Sequence, residues 1–121
     1  METKMKKNEI NITITMDDNN VPEKIEWVAS NVGKQNTSKA MLLSMWDDDA
    51  KNMVRIDMWT KDMMMNEMKQ FFYQSILSMA NTLERATAEE EAIKAMRDFA
   101  KEFGEKMKMA QKSPIISFKN K

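Results

Sequence analysis

Residues 55–74 read RIDMWTKDMMMNEMKQFFYQ. One arginine, two aspartates, two lysines, a tryptophan and three consecutive methionines share these twenty positions. Such a cluster could be a catalytic group, a binding surface or a strand running into a helix. The spacing of its apolar residues separates the three. Up to Trp59 the period is two: Val54, Ile56 and Met58 point one way, Arg55, Asp57 and Trp59 the other, as in a half-buried strand. Beyond Trp59, Met65, Met68, Phe72, Ile76, Met79 and Leu83 recur three and four apart, which is helical. The cluster therefore straddles a strand-to-helix junction near Thr60. Asp62 stands where a carboxylate can cap the helix, accepting from first-turn amides that otherwise lack partners.

Upstream, AMLLSMW and NMVRIDMWT flank DDDAK, two apolar segments around a short acidic turn, which predicts a hairpin. In its first arm Met41, Leu43 and Met45 oppose Leu42, Ser44 and Trp46. Nearer the N-terminus EINITITM alternates strictly, with Ile10, Ile12, Ile14 and Met16 on one side, and DDNN follows as turn chemistry. In VPEKIEWVAS, Pro22 cannot donate to a sheet ladder and belongs at a strand start or edge, while Ile25, Trp27 and Ala29 share a face. NVGKQNTSK is polar, contains Gly33 and reads as a loop.

A second helix begins at TAEE, where Thr87 and Glu90 have the spacing of a capping box. Ala92, Ile93, Met96, Phe99, Ala100, Phe103 and Met107 fall on one side of it. On the opposite side Glu90–Lys94, Lys101–Glu105 and Glu102–Lys106 are four apart and can pair. Gly104 weakens the last turns by about 1 kcal/mol relative to alanine, and Pro114 ends the helix. In the first helix Tyr73, Leu77 and Ala80 widen the apolar arc. Strands first and helices after predict an α+β fold: a four-stranded antiparallel sheet followed by two helices packed on one of its faces. The expected boundaries are a single domain over 8–112, with flexible tails at 1–7 and 113–121.

Composition narrows the function classes. The 121 residues are 42% hydrophobic and 31% charged, with 19 basic and 19 acidic side chains. That balance gives no general reason to bind nucleic acid or an anionic membrane. Without cysteine or histidine, thiol chemistry, the usual neutral-pH base and the commonest metal ligand are all missing. The N-terminal segment is not a secretory signal, and the longest apolar run, AMLL, is far below the ~18 residues of a membrane span. The expected location is the cytoplasm. Fifteen methionines suit irregular packing or an adaptable surface.

Four groups of side chains invite a functional reading. Asp47, Asp48 and Asp49 lack calcium-loop spacing and read as a solvated turn. Asp57, Lys61 and Asp62 form a carboxylate–lysine set, but no nucleophile, oxyanion hole or phosphate loop accompanies them. Lys94, Arg97, Lys101, Lys108 and Lys112 lack the interleaved aromatics of a nucleic-acid face and read as a solvated helix flank. Trp46 and Trp59, with Leu42, fall on the sheet side turned away from the expected core. Apolar residues there need a partner, and aromatics anchor interfaces. Leu42, Trp46 and Trp59 are accordingly the candidate partner-binding residues; no catalytic, metal or cofactor residue is expected.

The segments NNVPEKIEW (19–27), LSMWD (43–47), RIDMWTKDM (55–63) and EMKQFF (67–72) resemble, in this order, those of the gliding motility protein GldC family of Bacteroidetes. LERATAEE is similar to that family's break between two helices, and the resemblance spans roughly residues 8–108. MMM at 63–65 departs from the proline- or valine-bearing helix start of the family. The resemblance implies a small soluble accessory component of the gliding machinery and supplies no catalytic or binding residues. The expectation is thus a non-enzymatic interaction protein that presents its sheet to a protein partner or to itself. The alternative is a peptide-binding chaperone, since the SecB chaperones share the element order, a likeness of fold alone.

Overall fold

The computed structural model describes residues 5–108. The chain divides into two compact units, Met1–Met63 and Met64–Lys121; among the described residues the strands lie in the first and the helices in the second.

The first unit contains β1 (Ile10–Met16), β2 (Pro22–Ala29), β3 (Asn36–Ser38), β4 (Ala40–Asp47) and β5 (Asn52–Trp59). β1 and β2 pair antiparallel, with Ile10 opposite Ala29, Ile12 opposite Trp27 and Ile14 opposite Ile25. Their turn is built by Asp17, whose Oδ1 accepts from the backbone amides of Asn19 (2.8 Å) and Val21 (2.9 Å). Asn20 takes a positive φ of 62° there, a conformation asparagine tolerates better than most residues. β4 and β5 form the expected hairpin, with Ala40 opposite Trp59 and Asp47 opposite Asn52. Its acidic turn is held by Asp47, whose Oδ2 accepts from the amide of Ala50 at 2.7 Å.

The sheet differs from the expected single layer of four strands. β1, β2 and β3 form a three-stranded sheet, and β4 and β5 a separate two-stranded one. The additional strand, β3, lies in the stretch read as loop. Asn36, Thr37 and Ser38 have no apolar alternation to announce a strand. They pair because β2 offers them an edge, and the Ser38 hydroxyl accepts from Trp27 Nε1 at 3.0 Å. Lys39, between β3 and β4, is where the chain changes partner, from β2 to β5.

The second unit is a helical hairpin of α1 (Met65–Ala86) and α2 (Glu90–Lys106). Both expected caps are corrected. Asp62 accepts from the Thr60 hydroxyl instead of capping α1. The helix starts at Met65, with Glu67 reaching back to the amide of Met64 at 2.9 Å. Thr87 closes α1 rather than opening α2: its hydroxyl donates to Leu83 O at 2.9 Å and accepts from Glu89 N at 3.3 Å.

The buried side of α1 is rotated from the expected stripe. Ala80 is buried while Met65, Phe72 and Met79 stay exposed. The reason lies in α2, which presents Ile93, Ala100 and Gly104; the first two are buried. Small residues let the helices approach closely. A Cβ built on Gly104 would lie 3.1 Å from Cε1 of Tyr73, so the missing side chain is the room the ring occupies. Arg97, expected on a solvated flank, bridges to α1, donating to Asn81 Oδ1 at 2.8 Å and Glu84 Oε1 at 2.9 Å. Lys94 pairs with Asp98 (2.8 Å) and Glu102 with Lys106 (3.8 Å). Lys112, Pro114 and the tail 113–121 lie outside the described residues.

Candidate functional site

The strand-to-helix junction falls where the apolar period changes: β5 ends at Trp59 and α1 begins at Met65. Thr60 between them is 2% exposed. Its amide donates to Lys39 O at 2.7 Å, and its hydroxyl donates to Asp62. That hydroxyl holds the Asp62 carboxyl below its ordinary range. Next along the chain, the Lys61 amide donates to Pro22 O at 3.1 Å. The Lys61 ammonium reaches Asp17 Oδ2 at 2.7 Å and Glu23 Oε2 at 3.3 Å. Lys61 is raised by these two carboxylates, Asp17 first. Asp17 is lowered to about 2, chiefly by the hydrogen bond from Lys61 and then by the amide of Val21.

Asp57, Lys61 and Asp62 therefore do not converge. Asp57 accepts from Arg55 Nε at 3.1 Å, Lys61 from a different side joins the β1–β2 turn, and Asp62 serves Thr60. Each charged group has its own neighbour: Asp57 an ion pair on the ribbon, Lys61 the β1–β2 turn, and Asp62 the Thr60 hydroxyl. The residues that sequence reasoning missed here are Asp17 and Glu23. They lie 44 and 38 positions from Lys61, and no local pattern joins them.

The three candidate interface residues share one side of the β4–β5 ribbon. Antiparallel pairing places Ala40, Leu42, Ser44 and Trp46 beside Trp59, Asp57, Arg55 and Met53 respectively. Trp46 is 67% exposed and Trp59 57%, while Leu42 is half-buried. The two indoles stand at opposite ends of the ribbon, separated by roughly 20 Å of strand, with the Arg55–Asp57 pair between them.

The other side corrects an expectation. Val54 and Ile56, read as core-facing, are about half exposed, and so is Met45. Apolar side chains thus stand in solvent on both sides of a two-stranded ribbon, an arrangement that is marginal in water by itself. In the helical unit an open apolar groove of about 280 Å³ is lined by Met65, Met68, Lys69, Phe72, Phe103 and Met107.

The chain over residues 22–109 matches the model of the gliding motility-associated GldC-like family. It is a member of the GldC-like family. The match begins at the first residue of β2 and runs past the end of α2, so β2 to β5 and both helices of this GldC-like chain lie within it. No curated protein and no solved structure matches the chain. No helix among the described residues is long and apolar enough to cross a membrane.

Proposed function

We propose that this GldC-like protein is a non-enzymatic accessory component of gliding motility, acting in the cytoplasm by protein association through the β4–β5 ribbon. The observation that supports this reading is the exposure of large apolar residues on both sides of that ribbon, Trp46, Met53 and Trp59 on one and Met45, Val54 and Ile56 on the other. Among the described residues the buried apolar side chains are Ile25, Ala80, Ile93 and Ala100. A chain of this length ordinarily withdraws roughly 65% of its unfolded surface from water. Surface left uncovered within one chain is surface available for another.

The test is Trp59→Ala. It removes an aromatic anchor that the chain's own packing uses little, so association weakens more than the melting temperature falls. Sedimentation of the pure protein, and capture of its partner from a gliding bacterium, read the association; circular dichroism reads the melt. Unchanged assembly and unchanged partner capture in the variant would defeat the reading.

A second reading, peptide binding in the manner of a chaperone, has one observation in its favour. The groove between Met68 and Phe103 joins flexible methionine side chains to aromatic ones, a lining that adapts to varied apolar segments. Suppression of aggregation of an unfolded client, lost on Met68→Asp and retained in Trp59→Ala, would favour it over the ribbon.

A further inference from the structure

β5 has one hydrogen-bonded neighbour, β4, and its other edge carries no strand among the described residues. The direction of its backbone groups follows from the pairing. Thr60 donates to Lys39 O one step beyond the Ala40–Trp59 pair. Hydrogen-bonded pairs alternate in an antiparallel ladder. Val54, Ile56 and Met58 thus point their amides and carbonyls at β4, while Met53, Arg55, Asp57 and Trp59 point theirs outward. This edge is eight residues long, contains no proline or glycine, and carries only Arg55 and Asp57 as charges. Within the strand it lacks lysine, proline and a bulge, three of the devices that blunt an exposed edge. The outward amide that meets another backbone group is that of Lys61, beyond the strand's end, which donates to Pro22 O.

We propose that a second copy of this chain pairs antiparallel along that edge, about a two-fold axis at Ile56, to make a four-stranded sheet from two hairpins. The inference deepens the association reading above and names its partner. The sequence of β5 is self-complementary about Ile56. Arg55 falls opposite the second copy's Asp57, and Asp57 opposite its Arg55. Met53 falls opposite Trp59, a sulfur–aromatic pair, and Val54 opposite Met58. Ile56 faces its own copy. Each contact off the axis occurs twice and the Ile56 contact on it once, as an isologous interface requires. The outward backbone groups agree with this register, because Met53, Arg55, Asp57 and Trp59 pair among themselves.

Neighbouring registers are excluded by charge. Shifting the axis to Arg55 sets arginine against arginine, and shifting it to Asp57 sets aspartate against aspartate. Like charges directly opposite each other destabilise a strand pair. The Arg55–Asp57 ion pair within one chain, at 3.1 Å, shows that these two side chains lie on one side of the strand, where both can reach their counterparts across the axis.

A chain without cysteine allows a direct test. Ile56→Cys places two thiols across the axis at a non-hydrogen-bonded site, with Cα atoms about 4.5 Å apart, inside the range a disulfide bridges. Val54→Cys places them roughly 13 Å apart. Under mild oxidation the full-length Ile56→Cys protein forms a covalent dimer on a non-reducing gel, and Val54→Cys stays a single chain. In sedimentation Arg55→Asp weakens dimerisation on the order of tenfold, since the axis repeats the repulsion, and adding Asp57→Arg restores it.

Equal cross-linking of both cysteine variants, failure of the charge swap to restore the dimer, or a parent protein that is monomeric at every concentration would overturn the two-fold pairing. A monomer that nevertheless loses a different protein partner on Trp59→Ala overturns the pairing and leaves the association reading standing.

Discussion

Lys61 does at the residue scale what a longer element would do elsewhere. Its amide donates to Pro22 O and its ammonium to Asp17 and Glu23, so the end of β5 is tied to both sides of the β1–β2 turn. Titration exposes this tie. Asp17 titrates at about 2 in the folded protein and at the ordinary carboxylate value of 3.8 without its partners. A depressed carboxyl stabilises the fold above its unfolded value, and the contribution fades as pH falls through the folded one. Melting temperature therefore declines as pH drops from about 4 to about 2, and Lys61→Met flattens that decline. Equal slopes in the two proteins would remove Lys61 from the account. Thr60→Val keeps the buried shape and deletes the hydroxyl bonded to Asp62. A loss of about 1 kcal/mol in urea denaturation is expected, and an unchanged midpoint would contradict it. None of these partners could be read from the sequence. A period of two or of three and four reports which way a residue faces along its own element. It carries no information about a carboxylate in another turn.

The hairpins show at the element scale how far pattern reading reaches. β1, β2, β4 and β5 each alternate, and α1 and α2 each carry a periodic stripe, so all six were legible as elements. β3 was not, because Asn36–Ser38 are polar and become a strand only by meeting the edge of β2. The orientation of α1 was half legible. Six apolar residues at helical spacing defined a stripe, but the helix turns its Tyr73–Ala80 side inward because Gly104 admits the tyrosine ring. That packing makes a prediction opposed to simple propensity. Gly104→Ala should gain about 1 kcal/mol from helix propensity alone, yet the new methyl meets Tyr73 at 3.1 Å. The observed gain is therefore smaller in the parent protein and approaches the full value in a Tyr73→Leu background. Urea midpoints of the four proteins in that cycle measure the coupling. Additive effects would show that the ring yields without cost.

For the whole molecule, the small set of side chains buried among the described residues leaves much apolar surface in solvent. The segment RIDMWTKDM lies within residues 22–109, the stretch that matches the GldC-like family. Its strand half forms β5, and Thr60, Lys61 and Asp62 after it fix the strand's end. Polar groups at the junction maintain geometry, and the apolar groups beside them are left in solvent. Trp46, Trp59 and Leu42 were legible as residues on one side of a hairpin. That Val54 and Ile56 on the other side would also be exposed was not, because alternation identifies two sides without saying which is covered. The central question is whether β5 is covered when the protein is assembled. Hydrogen–deuterium exchange of the full chain, resolved to single amides and compared between dilute and concentrated protein, answers that directly. Slowed exchange at Met53, Arg55, Asp57 and Trp59 in the assembled state, with Val54 and Ile56 protected in both states by β4, is the predicted result. Outward amides of β5 that exchange freely at every concentration, while protection grows elsewhere on the molecule, would contradict it.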